Sequence, residues 1–308
     1  MKRKVIKQGN NTLTITLPRD WSDKFGIKAG DELDLEEQGR ALLVKSGNTV
    51  VNEKIQLDAA QMTERVLRWV LSSAHKFGYD EIEVIHQTPE QVKVIHELVK
   101  DLFMGFSVVE QTANRCLLKS ISRDVESEFD LILRRGFLVT LSMADSSYDI
   151  LKGKNFKDLS GLIALEHSNN QLTNFCERII NKVGHKDSKK NCFYYVVSWN
   201  LEKVCDDYKY LCDFFCDKNV KLNADFLALM QKVNQFFRGY YEVFYKFDMN
   251  ELTKLALKGK ELVKECEKLS KSVKSDSDFM LLSTLSHIVM QTMDFSASFV
   301  AIKNFNEP

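Results

Sequence analysis

Between Pro89 and Pro308 the chain has no proline, and from Gly161 onward only Gly184, Gly239 and Gly259 interrupt it. These two residue types break helices most strongly. A stretch this long without them, with apolar residues at helical spacing, is organised as long helices. Six are predicted, at about 123–151, 157–183, 191–217, 223–246, 249–273 and 277–304, with breaks at Gly153, Gly184-His185, Lys218-Asn219, Phe247-Asp248 and Lys274-Ser275. Asp248-Met249-Asn250-Glu251 has the capping-box pattern of a helix start. Short connections favour antiparallel bundles, so two three-helix bundles in tandem fit, at about 122–218 and 222–305.

The opposite end reads as strands. Leu13, Ile15 and Leu17 alternate with Thr12, Thr14 and Thr16, giving one wet and one dry face, and Pro18 stops the strand before a helical turn that carries Trp21 and Phe25 into a core. Gly26, Gly30-Asp31 and Gln38-Gly39 then punctuate short strands at Leu33–Glu36 and Ala41–Val44. A unit this small buries too little surface to stand alone, which calls for a second copy. Its charge is lopsided: Lys2, Arg3, Lys4, Lys7 and Arg19 against Asp20 give +4 over the first twenty residues, and five acids follow between Asp31 and Glu37. Basic side chains flanking the Asn10-Asn11 turn fit a phosphate backbone, or merely solvate an edge strand.

Between these ends lies a small α/β module, residues 55–121. Asp58 is the expected N-cap of a helix over 59–76, with Met62, Val66, Trp69 and Val70 at helical spacing. A strand follows at Glu81–His86, a helix capped by Thr88-Pro89-Glu90-Gln91 runs to about Phe103, and Phe106–Glu110 pairs with Cys116–Ser120. No Gly-rich phosphate loop or nucleophile pattern occurs in it, and His86 and His96 read as structural or exposed residues. The whole chain of 308 residues carries zero net charge, so any affinity for nucleic acid is local. Its seven cysteines are odd in number, lack a C-x-x-C pair and sit mostly in apolar helical patterns, as expected of a reduced, cytoplasmic protein. Neither a signal peptide nor a membrane-length apolar run is expected.

Within the helical half, Glu202 and Asp206 stand one turn apart, as do Glu166 and Asn170 on the preceding segment. Such pairs share a divalent ion when a facing helix adds oxygens, and otherwise form a solvated face. Cys205, Cys212 and Cys216 recur on one helix side but read as small buried residues. Phe236, Phe237, Tyr240, Tyr241, Phe244 and Tyr245 form an aromatic stripe, read as core or as an exposed partner surface. A bundle-type di-metal enzyme needs Glu-x-x-His motifs; the helical half has none, and no enzymatic activity is expected.

Two resemblances bear on function. V-I-K-Q-G-N-N-T-L-T-I-T-L-P-R-D-W followed by F-G-I-K-A-G-D-E-L-D-L resembles the SpoVT/AbrB swapped-hairpin DNA-binding domain over residues 1–46. This implies two interdigitated chains and a DNA-facing set of Lys2, Arg3, Lys4, Lys7, Asn10, Asn11 and Thr12, with Arg19 beside it; Asn10-Asn11 stands where many relatives carry an arginine. W-N-L-E-K-V-C-D-D-Y from Trp199 is similar to the R-x-L-E-R-I-x-D-H segment of the PhoU regulators of phosphate transport, supported by R-R-G-F-L-V-T-L-S-M-A-D-S-S from Arg134 and by the six-helix plan.

That second likeness implies an iron-type or divalent metal ion in the first bundle on Glu202, Asp206, Glu166 and Asn170. In the second bundle Met290 replaces a ligand beside Asp294, leaving that bundle without a full site. Together the two imply a multidomain α+β protein: a swapped-hairpin β domain over 1–50, the α/β module over 55–121 and PhoU-like tandem three-helix bundles over 122–306. The implied function is phosphate-uptake regulation as a DNA-binding cytoplasmic homodimer. The alternative is an interaction protein that dampens a phosphate transporter or its sensor kinase at the membrane.

Overall fold

The computed structural model describes residues 1–38, 40–46, 52–121, 128–185 and 187–303. The chain divides into two compact units, Met1–Glu53 and Lys54–Pro308. Gly39, the beginning of the first predicted long helix and the end of the last lie outside the described residues.

In the first unit β1 (Ile6–Gln8) and β2 (Thr12–Thr14) form an antiparallel hairpin with Ile6 opposite Thr14, Lys7 opposite Leu13 and Gln8 opposite Thr12. Gly9 turns it at φ +68°, a conformation open to glycine without strain. The short helix α1 (Arg19–Lys24) follows Pro18, and β3 (Leu33–Gln38) pairs with β4 (Ala41–Ser46). No described residue of this unit is buried. Leu13 is 70% exposed, Leu35 63% and Val5 60%, while Trp21 and Phe25, with ring centroids 5.6 Å apart, are only half-buried. Among the described residues of this unit the expected core is therefore not closed, because its strands form two separate two-stranded ribbons.

The second unit opens with β5 (Lys54–Asp58), a strand that no local pattern in the sequence announces. Asp58 ends this strand and accepts a hydrogen bond from the Ala60 N–H; Thr63, not Asp58, caps α2 (Glu64–Phe77). The buried face of α2 is Leu67, Leu71, Ala74 and His75, which leaves Val66 and Trp69 exposed, contrary to the spacing read from the sequence. β6 (Glu81–Ile85), α3 (Pro89–Asp101), β7 (Phe106–Gln111) and β8 (Arg115–Ser120) complete a four-stranded sheet of order β5-β6-β8-β7, parallel only between β5 and β6. The capping box at Thr88 and Gln91 forms as expected. Ile82, Val84, Cys116 and Leu118 face the helices. The other face carries ion-pair ladders, Lys54–Glu81–Lys119 and Glu83–Arg115–Glu110.

Six long helices follow: α4 (Phe129–Gly153), α5 (Ile163–Lys182), α6 (Asn191–Phe215), α7 (Ala224–Tyr245), α8 (Met249–Ser270) and α9 (Asp276–Lys303). Phe156–Leu162, read from sequence as the first turns of α5, is a 3₁₀ segment. The Asp248 carboxylate caps the N–H groups of Asn250 and Glu251, while Glu251 pairs with Lys254. The α4-α5-α6 and α7-α8-α9 groups share one hydrophobic core, because α6 packs on α9 and α4 on α7. Buried polar bonds fix that junction: Tyr208 Oη donates to Asn234 Oδ1 at 2.7 Å, and Asn234 Nδ2 donates to the Ala144 carbonyl at 2.7 Å. The aromatic stripe of α7 is mostly core, with Phe236, Phe237, Tyr240 and Phe244 buried and Phe137 and Phe295 against them. Cys205 and Cys212 are buried free thiols, as expected.

Sheet module and bundle meet at Arg178 of α5. Its Nη1 donates to the carbonyls of His75 (2.9 Å) and Tyr79 (2.7 Å), and its Nη2 donates to Asp80 Oδ1 (2.8 Å). The guanidinium lies 4.9 Å from the Phe106 ring centre. Gly78 makes the turn at φ +114°, and a Cβ there would stand 3.0 Å from Lys182 Cβ, so both the conformation and the space require glycine.

Removing one partner of a buried ion pair strands the other charge. Asp80→Ala should therefore lower unfolding free energy by roughly 3 kcal/mol in urea titration, far more than Asp276→Ala on the exposed start of α9. His75, buried between Phe103 and Phe106, has its pKa held well below 6.5, first by desolvation and then by Arg178 and Lys76. Because the unfolded chain binds this proton more readily, the contribution of His75 is complete above about pH 6.5 and is lost as pH falls below it. Urea midpoints of wild type should drop between pH 7.5 and 5.5 more steeply than those of His75→Leu, as a comparison of the two chains will show.

Candidate nucleic-acid interface

Lys2, Arg3 and Lys4 precede β1, Lys7 is its central residue, and Asn10 and Asn11 form the hairpin turn ahead of Thr12; all seven side chains are exposed. Alternation along β1 places Lys7 on the same side as Leu13, with Ile6, Gln8, Thr12 and Thr14 on the other. The hairpin thus has an apolar side with a cation near its turn, and a largely hydroxyl and amide side. Arg19 opens α1 and lies 3.5 Å from Asp23, so its charge is shared within the helix. The hairpin brings Lys7, Asn10, Asn11 and Thr12 together as expected. Four unit charges along one short ribbon can neutralise phosphates, and the Asn side chains can meet base edges.

The residues expected to hold a metal have other partners. Lys203 Nζ stands 3.0 Å from Asp206 Oδ2 and 3.6 Å from Glu202 Oε1, and Lys76 of α2 reaches Glu202 at 3.9 Å. Glu166 is buried; it accepts from Asn170 Nδ2 at 2.8 Å and lies 3.7 Å from Lys209 Nζ. Burial pushes the Glu166 carboxyl above the usual carboxylate range, with Lys209 opposing. For Lys203, burial favours the neutral amine, but Glu202 and Asp206 outweigh it and raise the ammonium pKa. Lysine ammonium groups thus pair with Glu202, Asp206 and Glu166, while Glu166 Oε2, Asn170 Oδ1 and Glu202 Oε2 are buried without a hydrogen-bond partner among the described residues. Among the described residues no group of three or more His, Cys, Asp and Glu side chains forms a metal site. On α9, Met290 is half exposed and Asp294 exposed.

Other polar arrangements were not legible in the sequence. Glu177, fully buried on α5, faces Lys76 at 2.7 Å, and burial raises its pKa. His287 of α9 meets the buried Asp207 of α6 at 2.8 Å, and burial pushes this carboxyl up as well. Both pairs join residues far apart in sequence, and no local spacing announces them. His86 is buried, while His96 meets Gln111 at 2.7 Å.

Residues 6–50 match the family described as antidote-toxin recognition MazE, bacterial antitoxin. The first unit is accordingly a MazE/AbrB-like antitoxin-type domain, which fits DNA-binding or antitoxin-type regulation. No curated protein and no solved structure matches the chain. Among the described residues no helix is long and apolar enough to cross a membrane.

Because Lys203 already neutralises Glu202 and Asp206, titration of the chain with Zn²⁺ or Mn²⁺ in a calorimeter should show no saturable uptake at this place. One-to-one binding that disappears in the Glu202→Gln, Asp206→Asn double variant would overturn this.

Proposed function

We propose that the chain is a homodimeric DNA-binding regulator, in which the first unit supplies the dimer and the DNA contact and the helical unit receives a signal. The observation that carries this reading is the open state of the first unit: Val5, Leu13, Ile15, Leu35 and Leu42 are all more than half exposed beside a basic edge. Leaving that much apolar side chain in water is unfavourable by about 25 cal/mol per Å². A second copy that interdigitates its hairpins covers it and doubles the set Lys2, Arg3, Lys4, Lys7 across a two-fold axis. The family match over residues 6–50 supports the same class of protein.

The regulated process we propose is phosphate uptake. Its support is narrower: the likeness of Trp199–Tyr208 and Arg134–Ser147 to PhoU regulators, and the order of six long helices in two groups of three. A transporter or sensor kinase as partner, and a cytoplasmic location, rest on that likeness alone. A second reading takes the matched family's description at its word: the apolar residues of the first unit would then be covered by a separate toxin-like protein rather than by another copy.

Light scattering separates the two, since the first requires a dimer of the chain alone. A chain starting at Lys54 should lose that dimer. Duplex affinity of the full chain should fall steeply with salt, by about 0.9 in log–log slope per neutralised phosphate. Lys4→Ala should flatten the slope by about 1.8, since symmetry supplies each contact twice. A monomeric full chain that binds no duplex at ~50 mM salt, where electrostatic association is strong, would overturn the proposal.

A further inference from the structure

The lysines of α8 are not distributed evenly. Lys254 pairs with Glu251, Lys258 with Glu261, and Glu265 with Lys232 of α7. Lys260, Lys264 and Lys268, together with Lys271 at the C-cap of α8, are all exposed, and none of the four pairs with a carboxylate among the described residues. At 3.6 residues per turn these four lie within about 80° of arc and span about 16 Å along the helix axis. Three acids border the stripe: Glu261 is paired with Lys258 and Glu265 with Lys232, which leaves Glu267, so the strip carries a net charge of four minus one, or +3, on a chain whose total is zero. The apolar side of α8, Leu252, Gly259, Leu262 and Cys266, is buried in the bundle.

We infer that this stripe is a second contact for the phosphate backbone of a nucleic-acid duplex, separate from the edge of the first unit. Duplex DNA offers a negative charge every ~1.7 Å of its axis, so a row of mobile ammonium groups about 16 Å long meets several phosphates without demanding a fixed register. Lysine is suited to this as a hydrated point charge on a flexible stem. An anionic membrane is the weaker fit: an interfacial helix must bury an apolar face in lipid, and that face of α8 is already committed to the bundle, with Leu257 as the exposed apolar residue beside the stripe. The stripe carries no base readout, and it adds affinity equally for all sequences.

The test uses the full chain with fluorescently labelled random duplex, across a salt series. Wild type is compared with Lys260→Ala, Lys264→Ala, Lys268→Ala, Lys271→Ala combined, with Lys2→Ala, Lys4→Ala, Lys7→Ala combined, and with both sets together. Alanine suits an exposed helix position, so circular dichroism and melting should be unchanged in the α8 variant. The α8 variant should bind at least tenfold more weakly at low salt, with a slope flatter by ~0.9 for each phosphate that is no longer neutralised. If the α8 variant binds like wild type while the N-terminal variant loses binding, the inference fails and the N-terminal assignment stands. If only the α8 variant loses binding, the inference stands and the N-terminal assignment fails. Absence of duplex binding by wild type, or binding to phosphatidylserine vesicles in its place, overturns the stripe as a duplex-binding surface.

Discussion

Arg178 holds the larger unit together. Its guanidinium closes the carbonyl ends of the α2–β6 turn, meets the Asp80 carboxylate and lies over Phe106, so that one side chain on the bundle, joined at Asp80 by Lys182, satisfies several buried polar groups of the sheet module. Around it Asn181 donates to the Lys76 carbonyl and Gln171 to the Lys100 carbonyl, again from α5 into the module. A planar donor fork holds three acceptors in fixed directions while its face lies on an aromatic ring, which the compact, rotatable ammonium of lysine would not do. The module is therefore seated on α5 in one orientation. This is why Lys76, although it belongs to α2, can reach Glu177 and Glu202 in the bundle.

The same docking explains the fate of the carboxylate pairs. Read along a single helix, Glu202 and Asp206 are an open invitation to a cation. In the folded unit the cations are the chain's own: Lys203 beside them, Lys76 from the sheet module and Lys209 one turn on near Glu166. Fusion of the two helix groups into one core gives Asp207 a partner as well, because α9 covers α6 and brings His287 within hydrogen-bond distance of it. Charge is thus neutralised internally where the sequence pattern resembled a metal-binding regulator, and exposed lysines without a carboxylate partner among the described residues include those at the chain's first residues and on the outer side of α8.

Much of the fold is legible in the sequence. The absence of proline and scarcity of glycine after Pro89 forced long helices, and the breaks at Gly153, Gly184 and Asp248 fall where helices end or begin. Local capping chemistry fixed the start of α3 at Thr88, and the alternation of Thr and aliphatic residues marked the first hairpin. These features depend on backbone propensity and on hydrogen bonds between near neighbours, which a sequence states directly. The exposed cations around the first hairpin were legible for the same reason: a strand and a two-residue turn are set by the local sequence without help from the rest of the chain.

What the sequence did not contain was which of two available faces each element would bury. α2 offers Val66, Trp69 and Val70 on one side and Leu67, Leu71 and Ala74 on another; only packing against the sheet chose the second. Asp58 looked like a helix cap because its strand, β5, is defined by pairing with β6 more than twenty residues away. The partners of Glu166, Glu177, Glu202 and Asp207 come mainly from other helices, so their neutralisation, and the raised pKa values of Glu166, Glu177 and Asp207, follow from burial that no local pattern records. Sequence alone determined the long helices, the first hairpin with its charge, and the class of its domain. Tertiary structure decided the single shared core, the seat of the module on Arg178 and the lysine partners of Glu166, Glu202 and Asp206, because long-range packing selects among faces and counter-charges that are locally equivalent.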